Sequence, residues 1–309
     1  MAAGMEQTVL ITGLTSRTGR FLLARMCRER EKLAGMRFAA IVRPTSDTAA
    51  IDESGLSIEK RVGDVTDPLF MAKAAQGADT LLHIMGIHWS EPVVSAALAA
   101  GARRVIAVHT TGIYSKYKSA GEEYRHIDAR IEHMCRDAGA SLTILRPTMI
   151  YGGIDDSNIC TFIKMVDRLP FMPVVAGARY ALQPVHRRDL GHAYFDVLLH
   201  PEITDNKQYV LSGEAPVLLR DMLTMIGQCL GKRVRFLSVP YWIAITGAVC
   251  LYGVSFGKLD FREKVQRLVE PRAYPHGEAT RDFGYSPMPF SEGIAQEMHD
   301  YLAAKQAGA

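Results

Sequence analysis

The chain has 309 residues, of which 48% are hydrophobic and 22% are charged. These proportions are typical of a folded globular protein, and they exclude the disordered, collagen-like and coiled-coil classes. The net charge is only +3, and because the 36 basic and 33 acidic residues include no long basic block, the charge predicts neither a nucleic-acid nor a membrane-surface partner.

Cysteine usage and the first residues bear on the cellular compartment. The five cysteines lie far apart without a C-x-x-C pair, so we expect neither a disulfide framework nor a metal site. The N-terminal segment lacks the basic and apolar regions of a signal peptide. The sequence therefore predicts a cytoplasmic protein.

The longest apolar stretch covers residues 242–256 and contains two glycines. It is shorter than the roughly 20 residues that a transmembrane helix needs, so no transmembrane span is predicted. We expect a buried or surface-docked helix here. Contact with a membrane is the alternative.

Short β-rich runs alternate with helical patterns through the first half of the chain. The runs lack polar alternation, which is typical of parallel strands that helices cover on both faces. The sequence therefore predicts an α/β fold with a Rossmann-type doubly wound parallel sheet. The predicted strands cover residues 8–12, 38–42, 78–85, 104–110 and 141–147, and the predicted helices cover residues 21–30, 92–101 and 121–138.

The pattern becomes less regular after Tyr151. We predict a dinucleotide-binding domain over residues 1–150 and a smaller substrate-binding region over most of 151–309. A segment at about 181–212 is expected to return to the first domain. Two more helices, over 189–200 and 218–230, are predicted on either side of a strand at QYVLSG.

The segment VLITGLTSRTGRFLLARM has the outer spacing of a dinucleotide-binding fingerprint, with Gly13 after a strand and Gly19 at the start of a helix. Ser16 replaces the middle glycine, and its hydroxyl can bond a phosphate. The N–H groups and the dipole of the first helical turn favour a pyrophosphate. The predicted cofactor contacts in this loop are Gly13, Thr15, Ser16, Arg17, Thr18 and Gly19.

The end of the second predicted strand bears on the choice between NADP and NAD. Arg43 stands where NAD-binding proteins have an acidic residue for the ribose hydroxyl. Together with Arg17 it offers two permanently charged guanidiniums, which suit the 2′-phosphate of NADP. Asp47 follows four residues later and could bond the ribose hydroxyl of NAD, so NAD remains the alternative cofactor. Asp64 and Val65, after another short β-rich run, are predicted to line an adenine pocket.

Several motifs together resemble the short-chain dehydrogenase/reductase superfamily, in its extended and atypical branches that include the NAD-dependent epimerase/dehydratases. Besides the glycine loop, these motifs are GDVTD (63–67), VIAVHTTGIY (105–114), LRPTMIYGG (145–153), QPVHRRDLGHA (183–193) and RDFGYSPMPFSEGI (281–294). The resemblance covers nearly the whole chain. It implies further cofactor contacts at Gly86 and Pro147, and a small-molecule substrate such as a nucleotide sugar.

The resemblance also implies a catalytic Ser or Thr at a strand end, a Tyr on the next helix and a Lys four residues after the Tyr. Thr110 and Tyr124 match the first two, with Thr111 a near competitor. Asp128 occupies the lysine position. A lysine there lowers the pKa of the Tyr whereas a carboxylate raises it, so the sequence departs from ordinary Tyr–Lys proton transfer.

The sequence offers alternatives for this proton transfer. Histidine is the side chain that ordinarily titrates near neutral pH, so three histidines are alternative proton carriers, and a second Y-x-x-x-K pair lies upstream. These residues are His109, His126 and His133, and the pair Tyr114 and Lys118.

Two functions follow from these features. The first is an NADP-dependent oxidoreductase or epimerase/dehydratase, in which Thr110 bonds the substrate oxygen and Tyr124 transfers a proton. The second is a catalytically degenerate NADP(H)-binding sensor or structural subunit, which Asp128 favours. Arg267 and Arg272 are candidate ligands of a substrate phosphate. A homodimer through the helix of Tyr124 stays open, although this helix is highly charged.

Overall fold

The computed structural model describes residues 7–117 and 119–307, and its centre is a parallel sheet of seven strands in the order β11-β6-β5-β4-β1-β2-β3. Six further short strands form three two-stranded pairs beside it, β7 with β10, β8 with β13 and β9 with β12. The strands are β1 (Gln7–Thr12), β2 (Met36–Val42), β3 (Ile58–Val62), β4 (Thr80–His83), β5 (Arg104–Val108), β6 (Ser141–Pro147), β7 (Ile150–Tyr151), β8 (Met172–Val175), β9 (Ala181–Leu182), β10 (Val185–His186), β11 (Gln208–Leu211), β12 (Val217–Leu218) and β13 (Phe236–Val239).

Helices connect these strands in the described part of the chain. They are α1 (Gly19–Arg28), α2 (Ala49–Asp52), α3 (Pro68–Ala74), α4 (Ser90–Ala99), α5 (Gly121–Asp137), α6 (Ile159–Arg168), α7 (Arg187–Leu199), α8 (Pro201–Thr204), α9 (Leu219–Cys229), α10 (Tyr241–Val254), α11 (Arg262–Arg267), α12 (Gly277–Phe283) and α13 (Phe290–Ala307). Short 3₁₀ turns cover Arg30–Leu33, Ile87–Trp89, Thr111–Tyr114 and Ala176–Ala178.

The central sheet is buried on both faces, which is why its strands lack polar alternation. Val9 and Ile11 of β1 face the layer that contains α1 and α7, whereas Leu10 faces the layer that contains α4 and α5. The chain runs outward from β1 to one edge through β2 and β3, and then to the other edge through β4, β5 and β6. The predicted doubly wound α/β fold is confirmed. Ligands of such sheets bind where the strand order reverses, here between β1 and β4.

Two elements from the second half of the chain pack with the central sheet and the helices that cover it. Strand β11 pairs with β6, with Tyr209 opposite Leu145. Helix α7 packs against α1, where the Arg25 guanidinium forms two bonds of 2.7 Å to the carboxylate of Asp196. The remaining elements, chiefly α6, α9 and α13, surround a separate apolar core that includes Tyr151, Ile163, Met222 and Phe290. A cleft lies between this smaller core and the carboxyl edge of the sheet.

Candidate active site

The cleft has a volume of about 1130 Å³ and is lined from both parts of the molecule. The sheet contributes the loops that follow β1, β4 and β5, together with one face of α5. The smaller region contributes the segment after β6 and β7 and a stretch that includes Arg267, Arg272 and Tyr274. The lining therefore joins the glycine loop, the predicted catalytic strand end and the predicted substrate region in one space.

The glycine loop has the backbone that its sequence predicts. Gly13 has a φ of +77°, which few residues other than glycine adopt without strain. A Cβ on Gly19 would lie 2.3 Å from the carbonyl oxygen of Gly13, so only glycine fits at the start of α1. The Ser16 hydroxyl accepts a hydrogen bond of 3.1 Å from the Gly19 amide. Ser16, in place of the middle glycine, thus caps the turn that leads into α1.

The N-terminal turn of α1 fits the phosphates of a dinucleotide. Among the described residues, none accepts a hydrogen bond from the backbone amides of Thr15, Arg17 and Thr18. All three residues line the cleft, together with Ser16. Unsatisfied N–H groups at a helix N-terminus provide an anion site, and the helix dipole adds to it.

The residues predicted for the adenosine end lie beyond the lining of the cleft. Arg43 and Asp64 are exposed at the ends of β2 and β3, and Val65 is buried beside them. The Thr66 amide, and more weakly the Arg43 cation, hold the pKa of Asp64 below its usual value. Asp47, the residue that kept NAD open, pairs with Arg20 at 3.0 Å.

Arg17 spans the cleft instead of extending toward Arg43. Its Nε atom lies 2.5 Å from Oδ2 of Asp155, in the segment after β7. Asp155 also lies 3.5 Å from the guanidinium of Arg187, the first residue of α7. A cofactor phosphate would compete with Asp155 for Arg17.

The two predicted catalytic residues line the same cavity. Thr110 follows β5, and its Oγ1 accepts a hydrogen bond of 2.9 Å from the Gly112 amide. Its neighbour Thr111 is buried and donates to the carbonyl oxygen of Pro147 at 3.1 Å. Tyr124 is 9% exposed, with its ring 5.4 Å from that of His88. Among the described residues, the Thr110 hydroxyl has no acceptor for its hydrogen, whereas Thr111 donates its hydroxyl hydrogen to Pro147.

Asp128 faces away from the cleft into a buried polar network. Its Oδ1 lies 2.5 Å from Nδ1 of His109, and its Oδ2 lies 2.8 Å from Nη2 of Arg146 on β6. The second ring nitrogen of His109 lies 2.9 Å from the hydroxyl of Ser90. Burial opposes ionisation of Asp128, but the bond to His109 and the Arg146 cation together hold its pKa below the usual value.

The alternative proton carriers have other positions. Both nitrogens of His109 have partners in that network, although the residue also touches the cleft. His126 and His133 project from α5 into solvent, with side chains 74% and 71% exposed. Tyr114 packs against Tyr274, with ring centres 5.4 Å apart, and Lys118 lies outside the described residues.

The loop after β4 contains a histidine that sequence reasoning missed. His88 lines the cleft, packs on the ring of Tyr124 and lies 2.9 Å from Oε1 of Glu123 through its Nδ1. Gly86 lines the cleft beside it, as the resemblance implies. His83, by contrast, is fully buried and bonds Thr12 at 2.8 Å, and burial lowers its pKa to about 3. In the sequence, only the position of His88 two residues after Gly86 indicated that it lies near the cofactor site.

Arg267 and Arg272 form a cationic wall on the substrate side. Both line the cleft, and the buried Nε atom of each has no hydrogen-bond partner among the described residues. Burial, and secondarily the neighbouring Arg267 cation, lower the pKa of Arg272 from its usual value. Arg267 also forms an ion pair with Glu263 at 3.6 Å, so part of its charge is balanced. Two guanidiniums that line one cavity still favour an anionic ligand.

Residues 13–168, just over half of the chain, match a family model described as NAD(P)H-binding. The chain belongs to this NAD(P)H-binding family. Its resemblance to the extended epimerase/dehydratase branch is confirmed. Among the described residues of this NAD(P)H-binding protein, no helix has both the length and the apolar character that a membrane crossing requires.

Curated relatives match only part of their length. Ceramide reductase of Caulobacter vibrioides is 26% identical over 196 residues, which cover 57% of this chain and 56% of the relative. UDP-glucose 4-epimerase of Vibrio cholerae is 25% identical over 175 residues, which cover 55% of this chain and 50% of the relative. The chain thus spans about half the length of these two proteins.

Solved structures share the fold over nearly the whole chain. The structure of the protein gox2253 superposes with a TM-score of 0.76 at 21% identity, covering 97% of this chain and 98% of that one. The fold extends through the smaller C-terminal region as well as the sheet.

Proposed function

We propose that this protein is an NADP-dependent reductase or dehydrogenase of the extended type, which interconverts a carbonyl and a hydroxyl on a small, anionic substrate. The observation that carries the proposal is that the glycine loop, Thr110, Tyr124 and the two arginines of the substrate side line one cavity. The names of the two relatives, a reductase and a 4-epimerase, support chemistry of this class.

NADP is favoured over NAD by the charge at the ends of β2 and β3. Arg43 is exposed there, and so is Asp64, whose charge interacts with it. Asp47 is engaged by Arg20. A 2′-phosphate beside Arg43 would gain a forked, charge-assisted contact that a ribose hydroxyl does not offer.

Thr110 and Tyr124 supply the polar groups for the reaction. Hydride transfer belongs to the nicotinamide when it is bound. Thr110 lines the cleft, and its O–H is the group that polarises the substrate oxygen in this proposal. Tyr124 is the group that exchanges a proton with that oxygen. The ring of His88, held by Glu123, packs against Tyr124 and fixes its position.

The substrate class follows from Arg267 and Arg272. Both side chains line the cavity that also contains Thr110 and Tyr124. A phosphate or diphosphate of a nucleotide sugar fits this arrangement, because guanidiniums bond phosphate oxygens in pairs. The remaining part of the substrate would extend toward Thr110.

The cofactor proposal is tested by calorimetric titration of the full chain with NADPH and NADH in parallel. We expect NADPH to bind at least about tenfold more tightly, a difference of about 1.4 kcal/mol. Arg43→Ala should remove most of this preference. Arg103→Ala, an exposed arginine just before the amino end of β5, should leave it unchanged. Binding of neither cofactor would refute the proposal.

The catalytic proposal is tested by Thr110→Ala and Tyr124→Phe. Each variant should still bind NADPH, because the glycine loop that holds the phosphates is unchanged, yet lose about 100-fold or more in turnover. The assay follows NADPH oxidation with a panel of carbonyl compounds and keto-sugar nucleotides. A wild-type protein that binds NADPH tightly and turns over none of them would favour the sensor function instead.

A further inference from the structure

Helix α10 is apolar on all sides and yet lies at the surface. None of its 14 residues is charged, and Ala248 is its only buried residue. A helix that is hydrophobic all round is normally enclosed by protein or lipid. In this one Trp242 is 68% exposed, Val249 51% and Val254 78%, and Phe256 in the following turn is 92% exposed.

The exposed side of α10 is continuous. Its inner stripe, at helical spacing, consists of Tyr241, Ile245, Ala248 and Tyr252, which are buried or half-buried. The remaining side presents an exposed set along the whole helix: Trp242, Ile243, Thr246, Val249, Cys250 and Val254. Exposed apolar patches of this kind mark sites of protein or membrane interaction.

The residues around α10 are strongly basic. Residues 233–267 contain six basic and two acidic side chains, a net charge of +4 in a chain whose total is +3. Lys258 and Lys264 are exposed in and after the turn that follows α10. Arg262 stacks over Tyr252 with its guanidinium carbon 3.9 Å from the ring centre. Aromatic and basic residues flanking an apolar helix are typical of segments that bind lipid headgroups.

We propose that α10 and the turn to α11 form a docking surface for an anionic phospholipid bilayer. The helix would lie in the plane of the interface, because 14 residues span about 21 Å and do not cross the hydrocarbon core. Charge complementarity selects this occupant over a second copy of the chain. In a twofold dimer through α10 the two basic surroundings would face each other and repel.

The docking surface is joined to the cleft by α11. Glu270 accepts hydrogen bonds from the Ser115 hydroxyl at 2.6 Å and the Lys116 amide at 2.8 Å, and Ser115 lines the cavity. Arg267 ends α11 and lines the same cavity. A bilayer bound at α10 would therefore lie next to the substrate end of the cleft. The docking itself does not depend on the proposed reaction.

The test is flotation of the full chain with lipid vesicles in the absence of cofactor. We expect binding to vesicles that contain phosphatidylglycerol, little binding to pure phosphatidylcholine, and a loss of binding as the salt concentration rises. The double variant Trp242→Glu/Val249→Glu should reduce vesicle binding by about tenfold or more. Its far-UV circular dichroism and NADPH affinity should match the wild type, because both side chains point into solvent.

Leu69→Glu provides the matched control, since Leu69 is an exposed apolar residue (84%) on α3, away from α10. Equal vesicle binding by the control and the α10 variant would overturn the proposal, as would absence of wild-type binding. Gel filtration tests whether a second copy of the chain binds this surface instead. A dimer that the α10 variant dissociates, without any vesicle binding by the wild type, would assign the surface to a second copy.

Discussion

At the scale of single residues, Asp128 stands at the sequence position of the family's lysine, but its carboxylate points into a buried polar network. Its carboxylate lies between His109 and Arg146 and does not line the cleft. Arg146, which is 2% exposed, supplies the buried positive charge that balances it. The carboxylate that would disfavour a Tyr124 phenolate is thereby neutralised within the network.

This arrangement predicts a strong dependence of folding stability on Asp128. Asp128→Asn leaves the Arg146 charge buried without a counter-charge, and loss of one partner of a buried pair costs about 3 kcal/mol or more. Arg146→Met in the same chain should recover much of that loss, because it removes the unbalanced charge. Urea denaturation of the two single variants and the double variant measures the coupling. Additive effects would show that the two side chains do not interact.

At the scale of elements, a buried carboxyl group on α13 bonds to the segment after β7, which borders the cleft. Glu297 is 1% exposed and accepts a hydrogen bond of 3.0 Å from the Gly152 amide. Burial, and then the nearby Asp156 carboxylate, raise the pKa of Glu297 to about 9. The contact therefore joins α13 to the segment after β7 as a neutral carboxylic acid at physiological pH.

The raised pKa predicts a specific pH dependence. The folded state holds the Glu297 proton up to about pH 9, whereas an unfolded Glu loses it near pH 4.5. The stabilisation is therefore complete below about pH 4.5 and is lost progressively as the pH rises to 9. Glu297→Gln lacks this titration, so its melting temperature relative to the wild type should rise by about 3 °C or more between pH 6 and pH 9.

Melting curves of both proteins at several pH values measure this difference. Glu122→Gln is the control, because the Glu122 side chain is 80% exposed and its substitution should leave the pH profile of the wild type. A constant offset between Glu297→Gln and the wild type across the range would contradict a neutral Glu297.

At the scale of the whole molecule, the sheet and the glycine loop could be predicted from sequence because both depend on local rules. Buried parallel strands are continuous apolar runs. Glycine is required at positions 13 and 19 by the backbone of a single turn. The orientation of Asp128 could not be predicted, since it depends on Arg146, which reaches α5 only through the pairing of β5 with β6. The cross-cleft pair of Arg17 and Asp155 likewise depends on how the smaller region is placed.

The docking of α7 and β11 on the first half of the chain has a consequence for biosynthesis. The outer edge of β6 has no partner until the ribosome has delivered Leu211, about sixty residues after β6 itself is complete. Over that interval the nascent polypeptide presents an open strand edge and the uncovered α1 face, which are features that promote aggregation and recruit chaperones. We therefore expect the folding yield to change with the speed of translation through codons 148–211.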